Sequence, residues 1–252
     1  MEKRVSENLW KVGNIMQKIL ITNDDGIQSD GIIRLARAAK KYGKVWVVAP
    51  DGQRSAMSHR ITLRETIEFF PVDFPVEGVH AYASTGTPAD CVRFGILNIV
   101  KEKPDYVFSG INYGYNSGTD IQYSATVGSA LEAACAGVHA IAFSEGASEC
   151  HEVTDAYLEQ MLKELMEQPL AHNQIWNVNF PQCELEKLRG ILYDRKIADC
   201  GFFIDEYLEE ELENGRIRLT VHGNYNENAP EGTDFRALVD GYISVGKVNN
   251  LR

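Results

Sequence analysis

The residues best suited to chemistry are an amide and two neighbouring carboxylates, Asn23, Asp24 and Asp25, between a short apolar run and a glycine. Two adjacent carboxylates repel each other, so they stay ionised together only in good solvation or beside a cation. A hard divalent cation such as Mg²⁺ or Mn²⁺ is the simplest to propose, because it prefers oxygen ligands. The same residues also suit a turn or a helix N-cap, and the segment alone does not separate these interpretations.

The apolar run before these residues, 18–22, predicts the element that positions them. A short, continuously apolar run flanked by helical patterns is typical of a parallel strand buried on both faces. Open α/β sheets bind their ligands beyond the carboxyl ends of such strands. We therefore expect the two aspartates at a ligand-binding edge of a sheet.

Strand and helix patterns alternate from Met16 onward and predict an α/β fold. The expected architecture is a three-layer, Rossmann-like, mostly parallel sheet with helices on both faces and an antiparallel C-terminal extension. One helix is predicted to begin with Thr87 as N-cap and Pro88 in the first helical position. The predicted strands are 18–22, 45–49, 80–84, 105–109, 140–143 and 175–179, and the other predicted helices are 32–40, 126–136 and 153–166.

The chain is expected to form one α/β domain over residues 16–252, preceded by an extension, residues 1–15, that is disordered or not native. The pattern changes after residue 181, so 181–252 is expected to contain a β-rich extension. Within it, Ile191–Arg195 and Arg216–His222 have the polar alternation of antiparallel strands. The acidic stretch 206–213 is interpreted as a solvated helix face or loop.

The charge of the chain excludes some classes of partner. Its 252 residues include 25 Lys and Arg against 36 Asp and Glu, a formal net charge of −11. This excess of acid disfavours binding to nucleic-acid polymers and anionic membranes.

Five cysteines without a CxxC pair suit a reducing compartment and give no zinc motif. With no apolar run long enough to span a bilayer, a cytoplasmic protein is expected.

Two further predicted strand ends carry oxygen and amide groups. The loop 51–59 contains Ser55, and the loop 110–123 contains Asn112 and Asn116. Hydroxyl and amide oxygens suit the same hard metals as the carboxylates of the first strand end. Three such ends on successive buried strands strengthen the prediction of a metal site.

Ser124 and Thr126 lie at the start of the predicted helix 126–136. Free backbone N–H groups at a helix start, helped by two hydroxyls, suit a phosphate. An ordinary Ser or Thr N-cap is the alternative. His59 has two interpretations as well, a proton donor or phosphate contact, and a hydrogen-bonded structural histidine.

Five motifs in this order resemble those of the SurE family, the stationary-phase survival proteins that act as metal-dependent nucleoside 5′-monophosphate phosphatases. A closing segment, 233–245, also matches, so the resemblance extends from Met16 to about Val245. The five motifs are Thr22-Asn23-Asp24-Asp25-Gly26, Ala49-Pro50 with Arg54-Ser55-Ala56, Thr85-Gly86-Thr87-Pro88-Ala89-Asp90-Cys91-Val92, Ser109-Gly110-Ile111-Asn112, and Tyr123-Ser124-Ala125-Thr126-Val127.

The resemblance implies a site as well as an activity. It implies a 5′-nucleotidase with one divalent cation per subunit, Mg²⁺ or Mn²⁺, with Ca²⁺ as an alternative in crystals. Activity on 3′-nucleotides or short polyphosphate stays open. The implied metal ligands are Asp24, Asp25, Ser55 and Asn112, and the expected phosphate or substrate side contains Asn23, Asn116, Ser124 and Thr126.

The family also implies a homodimer or homotetramer, and the chain departs from its usual motifs at two places. Ala125 replaces a frequent glycine, and Gly246-Lys247 replaces a usual Thr-Pro. Family members often pair through exchanged C-terminal segments, so the second departure bears on the oligomer.

Hydrolysis of a phosphate monoester by an activated water is the mechanism we expect. Asp24 is the candidate to orient or deprotonate that water, with Asp25 as the second catalytic carboxylate. A phospho-aspartate intermediate is less favoured, because both carboxylates are needed as ligands. A non-catalytic nucleotide-binding protein and a sugar-nucleotide transferase are the alternatives from other classes, and the transferase lacks its usual DxD spacing.

Overall fold

The computed structural model of the chain describes residues 16–226 and 228–250. The extension predicted for residues 1–15 lies outside the described residues. The strands of the described part are β1 (Gln17–Thr22), β2 (Gly43–Pro50), β3 (Phe69–Pro71), β4 (His80–Ser84), β5 (Tyr106–Tyr113), β6 (His139–Glu145), β7 (Gln174–Phe180), β8 (Ile191–Arg195), β9 (Phe203–Glu211), β10 (Ile217–Tyr225) and β11 (Ile243–Asn249). Its α-helices are α1 (Asp30–Ala39), α2 (Pro88–Phe94), α3 (Ala125–Cys135), α4 (Glu152–Glu167) and α5 (Asp234–Val239).

Nine of the strands form one sheet in the order β3-β4-β2-β1-β5-β6-β7-β11-β8. The strands from β4 to β7 in this order are mutually parallel, whereas β3 and β11 pair antiparallel with β4 and β7. The mostly parallel sheet predicted from the sequence is confirmed. Strand β1 lies between β2 and β5, so its carboxyl end is flanked by two other strand ends.

Both faces of β1 are buried, because alternate strand residues point to opposite sides of the sheet. Ile19 and Ile21 belong to the cluster that includes residues of α1 and α4. Leu20 belongs to the opposite cluster, which includes residues of α2 and α3. All three side chains are fully buried. The three layers predicted for the fold therefore meet at the strand that carries the two aspartates.

The start of α2 confirms the predicted capping. The Thr87 hydroxyl accepts a hydrogen bond from the Asp90 N–H (3.1 Å), and the Asp90 carboxylate accepts one from the Thr87 N–H (3.0 Å). Pro88 occupies the first turn, where its missing N–H is not needed. This reciprocal pair satisfies two backbone donors that the helix itself leaves unpaired.

The longest helix in the described part is α4, with 16 residues. Across residues 16–226 and 228–250, no helix combines the length and apolar character that a bilayer span requires.

Strand β5 is longer than predicted. The prediction ended it at Ser109, but the strand continues to Tyr113, and its register with β6 shifts between Ser109 and Asn112. Gly110, expected to begin the loop 110–123, lies instead in the irregular part of the pairing of β5 with β6. The extra residues carry Asn112 along the sheet edge beyond the end of β1.

The acidic stretch 206–213 was predicted wrongly. Most of it belongs to β9, which pairs antiparallel with β10 in a separate two-stranded sheet. Arg218 on β10 pairs with Glu210 on β9 at 2.8 Å, so part of the acidic charge has a cross-strand partner. The periodicity of one segment does not reveal such a partner, which is why β9 was missed. The antiparallel strand predicted over Arg216–His222 is confirmed by β10.

Strand β8, Ile191–Arg195, also differs from its prediction. It was expected to be antiparallel, but it lies at the edge of the main sheet and pairs parallel with β11. Strand direction depends on where the connecting chain returns, and alternation along β8 carries no such information.

Candidate active site

Asp24 and Asp25 lie just beyond the carboxyl end of β1, in a loop that is bonded to the loop after β2. The Arg54 N–H donates to the backbone carbonyl of Asp24 (2.7 Å), and the Ile27 N–H donates to the carbonyl of Pro50 (2.9 Å). These two bonds fix the relative positions of the loops. Ser55 directly follows Arg54, so the bond from Arg54 to Asp24 also fixes the position of Ser55 relative to Asp24.

Asp24 is almost completely buried, with 4% of its surface exposed. The Thr126 hydroxyl donates to its Oδ1 at 2.6 Å, and Thr126 also donates through its backbone N–H. Burial raises the pKa of Asp24 to about 6, the hydrogen bonds from Thr126 oppose this rise, and the charge of Asp25 adds to it. Asp24 is consequently a better proton acceptor than an ordinary aspartate.

Asp25 has different neighbours. The Tyr113 backbone N–H donates to its Oδ2 at 3.0 Å. Burial raises the pKa of Asp25, the bond from Tyr113 opposes the rise, and the nearby charge of Glu145 adds to it. A cavity of about 370 Å³ opens beside Asp25, and its walls include Tyr113 and Glu145. Asp25 is thus the aspartate that faces open space.

Asn112 and Ser55 complete the set of metal ligands expected from the sequence. The Asn112 Nδ2 donates to the Gly114 carbonyl (2.8 Å), which leaves Oδ1 as the atom suited to a metal. Asn112 precedes Tyr113, the residue that contacts Asp25, so the ends of β1 and β5 meet here. Ser55 is exposed and follows Arg54 in the loop after β2. The four residues thus come from three adjacent strand ends.

The start of α3 forms the opposite wall. The Ser124 hydroxyl accepts a hydrogen bond from the Val127 N–H (3.1 Å) and caps the helix. The Ser58 N–H donates to the Tyr123 carbonyl (2.9 Å), so the loop after β2 lies against this helix start. A Cβ atom on Gly128 would lie 2.5 Å from the Ser58 carbonyl oxygen, so only glycine allows this approach. Thr126 is the residue of this turn that contacts an aspartate.

His59 contacts the same helix and not the aspartates. Its Nε2 lies 2.8 Å from the Glu132 Oε2 on α3. This contact favours the interpretation of His59 as a hydrogen-bonded structural residue.

Asn23 and Asn116 are buried in hydrogen-bond networks. The Asn23 Nδ2 donates to the Gly26 carbonyl (3.0 Å) and to the Ser29 hydroxyl (2.7 Å), which holds the loop after β1. The Asn116 Nδ2 donates to the Ser144 hydroxyl (2.7 Å), and its backbone N–H donates to Asn179 (2.8 Å). Asn23 and Asn116 therefore fix the loops that carry them.

Three residues near Asp25 were not singled out from the sequence. Glu145 ends β6 and pairs with Arg34 of α1 at 2.7 Å, and His151 Nδ1 lies 3.0 Å from the same carboxylate. Glu145 had the signal that identified Asp24 and Asp25, since it is a carboxylate at the end of a buried strand. The position of Arg34, by contrast, depends on how α1 packs.

The residues at this edge fit a hard divalent cation. In the described part of the chain, neither Asp24 nor Asp25 forms an ion pair with Lys, Arg or His, although Asp24 is buried and Asp25 is half-buried. Adjacent buried carboxylates without a cationic partner are costly unless a cation binds them. No cluster of three or more His, Cys, Asp or Glu suited to a metal occurs within the described residues. A site here would need the hydroxyl, the amide and water as further ligands, as Mg²⁺ accepts.

Comparison with known proteins gives a consistent result. The family described as Survival protein SurE matches residues 19–199. The chain is 40% identical over 233 residues to the 5′-nucleotidase SurE of Clostridium botulinum (strain Loch Maree / Type A3), covering 90% of each protein. It is 38% identical over 237 residues to the 5′-nucleotidase SurE of Thermoanaerobacter sp. (strain X514), covering 92% of each. The crystal structure of the SurE protein from Aquifex aeolicus matches with a TM-score of 0.78 and 33% identity, over 92% of this chain and 93% of that one.

Proposed function

The chain belongs to the SurE family, and from this membership we infer that it is a 5′-nucleotidase, a hydrolase that splits nucleoside 5′-monophosphates into nucleoside and phosphate. The observation that carries the inference is the pair Asp24 and Asp25, one buried and one half-buried, which lies without a cationic side chain at the end of the inner strand β1. Both residues lie inside the segment 19–199 that matches the family. A phosphate monoesterase needs a positive centre at such a place, because charge develops on the phosphoryl oxygens.

The family is metal-dependent, and we propose that Asp24, Asp25, Ser55 and Asn112 hold one divalent cation per subunit. Mg²⁺ or Mn²⁺ suits this all-oxygen set best. Such a cation would neutralise phosphate oxygens and lower the pKa of a water molecule. The short link between Arg54 and Asp24 supports the inclusion of Ser55.

The proton chemistry is assigned to Asp24. In the metal-free protein burial raises the pKa of Asp24 to about 6, and a bound cation would favour its ionised form, in which Asp24 would orient the attacking water or accept its proton. The Thr126 hydroxyl donates to Oδ1 and so fixes the orientation of the carboxylate. Asp25 supplies a second negative charge from the cavity side.

The phosphate side is assigned to the start of α3 and the loops beside it. The Ser124 oxygen is occupied by its capping bond, but its hydroxyl hydrogen can still donate to a phosphate oxygen. Asn116 and Asn23 support this side through the loops that they fix. Backbone N–H groups at the helix start add favourable partial charge.

A homodimer or homotetramer is proposed, and the β9–β10 hairpin is the surface that supports it. Several of its large apolar side chains are more than half exposed, including Leu219 (56%) and Val221 (69%). A two-stranded sheet is marginally stable alone, so a second copy that covers this surface would stabilise it. Replacing both residues by Lys would then lower the mass measured by light scattering.

A cytoplasmic location is also proposed. Its support is that all five cysteines are free, two of them, Cys150 and Cys183, in neighbouring loops. Disulfides are rare in reducing compartments.

A phosphate-release screen over nucleoside monophosphates tests the function. We expect no release in EDTA and recovery when Mg²⁺ or Mn²⁺ is added back, with glycerol phosphate as the control ester. Release that is insensitive to EDTA would contradict the metal site. Tight nucleotide binding without release at any metal concentration would leave a binding protein instead of an enzyme.

A further inference from the structure

A buried ion pair lies next to the metal site that we have proposed. Arg34 on α1 donates from both terminal nitrogens to the Glu145 carboxylate, at 2.7 and 3.3 Å. Their side chains are 10% and 5% exposed. Such a bidentate pair has a fixed geometry, unlike a flexible surface ion pair.

The pair is tied to the surroundings of Asp25 from two directions. Glu145 is opposite Tyr113 in the pairing of β6 with β5, and its carbonyl accepts the Gly114 N–H at 2.9 Å. Tyr113 in turn donates its N–H to Asp25. From the other direction, α1 begins against the end of β5, where a Cβ on Gly31 would lie 2.1 Å from the Ile111 carbonyl oxygen.

The charges in this region are unevenly matched. Arg34 is also bonded to Asp155 on α4 (2.7 Å) and lies 3.5 Å from Asp30. Glu145 and Asp25 line the same cavity, together with Asp30, Glu149 and His151. Glu145 thus places its carboxylate in the cavity that Asp25 faces. Glu145 is therefore the carboxylate that compensates the Arg34 charge on the Asp25 side of this cluster.

We propose that Glu145 is a positioning residue that holds Arg34 in a fixed pair and compensates its charge, and so keeps the Asp25 side of the site favourable for a divalent cation. This inference rests on the proposed metal site and adds a requirement to it. Without the Glu145 charge, the cluster around Arg34 would lose one of its negative charges on the side of the metal site, which would disfavour a divalent cation. Without Arg34, the additional negative charge would favour a cation.

Binding of Mn²⁺ to the substrate-free protein, measured by isothermal titration calorimetry, tests this proposal. We expect Glu145→Gln to raise the Kd for Mn²⁺ by about tenfold or more, the scale typical of residues that support metal ligands. Arg34→Gln should leave the Kd unchanged or lower it. The double variant, with neither charge, should return to within about threefold of the parent.

The opposite signs separate this role from a purely structural one. If the pair only held α1 against β6, both single variants would loosen the site and weaken Mn²⁺ binding alike. That result, or parental affinity in Glu145→Gln, would overturn the proposal. If Arg34→Gln does not fold, the Glu145→Gln and double variants still decide, because only charge compensation restores affinity when a second residue is removed.

Two variants control for the packing of α1 on α4. Asp155→Asn removes one contact of Arg34 but leaves the Glu145 pair intact, and Glu159→Gln removes the ion pair between α4 and Lys41, just after the end of α1. Both should bind Mn²⁺ like the parent; a tenfold loss in either would overturn the assignment to Glu145. A parent protein that binds no Mn²⁺ would refute the proposed metal site itself, whereas a normal parent with an unaffected Glu145→Gln variant refutes only this inference.

Discussion

Asp24 and Asp25 are neighbours in the chain, but they belong to different sides of the molecule. Asp24 faces the start of α3 and is held by the hydroxyl and N–H of Thr126. Asp25 faces the α1 and α4 side, where it accepts a backbone N–H from Tyr113 and opens onto a cavity. Consecutive residues at a strand end point to opposite faces, so one short segment reaches both.

The two sides therefore control different properties. On the Asp24 side, the Thr126 hydroxyl orients the Asp24 carboxylate, to which we assign the proton transfer. On the Asp25 side, the contact comes from the backbone, and the adjustable elements are the charges of Arg34 and Glu145. We expect variants on the first side to change the chemical step and variants on the second side to change metal affinity.

Replacing either aspartate should give the largest effect. Asp24→Asn and Asp25→Asn should each lower kcat/KM by at least about 10³-fold, because a bound metal contributes several kcal/mol to catalysis. Excess Mn²⁺ should rescue Asp25→Asn in part and Asp24→Asn hardly at all. Phosphate release measured over a Mn²⁺ titration separates the two.

Asp240→Asn, which breaks the ion pair with Arg236 on α5, is the matched control and should keep parental activity. If Asp24→Asn hydrolysed substrate at the parental rate, the role given to this side would be wrong.

Thr126→Val should have the next largest effect. It keeps the shape of the side chain but removes the hydroxyl that orients Asp24, and such supporting groups are worth about 10–100-fold in activity or metal affinity. Thr126→Ser retains the hydroxyl and should stay close to the parent. The measurement is kcat at saturating Mn²⁺; equal rates for the Val and Ser variants would exclude a role for the hydroxyl.

The metal-free protein should depend on pH through Asp24. Its folded-state pKa of about 6 lies above the ordinary 3.8, so the folded state binds more protons than the unfolded state between these values. The contribution of Asp24 to stability is therefore present at low pH and is lost as pH rises through about 6. Asp24→Asn removes this cost and should melt above the parent in EDTA at pH 7.5.

The difference should close towards pH 4. Each kcal/mol corresponds to about 2–4 °C in Tm for a chain of this size. A gap that stays constant across the pH range, measured by thermal denaturation, would show that titration of Asp24 is not its cause.

Ser124→Ala should have the smallest effect on turnover. Loss of the cap should lower stability by about 1 kcal/mol, and loss of a hydrogen bond to phosphate of similar strength should raise KM roughly fivefold. Thr87→Ala removes the corresponding cap of α2 and should lower stability with no change in KM. A KM that does not change in Ser124→Ala would leave Ser124 as a cap alone.

The parts of the fold that were predictable depend on local patterns. The buried strand 18–22, the start of α2 at Thr87 and the polar strand ends are each visible in a few consecutive residues. The wrong predictions concern partners. The acidic stretch 206–213 forms a strand because β10 pairs with it, and β8 is parallel because β11 returns beside it.

The place of the two aspartates follows from local residues alone, since an apolar run of that length buries itself in a sheet and ends at its edge. The contact of Thr126 with Asp24, and the position of Glu145 and Arg34 on the Asp25 side, come from the packing of distant elements. These contacts join residues about a hundred positions apart in the chain. Their existence depends on strand order and helix packing, which short-range patterns do not encode.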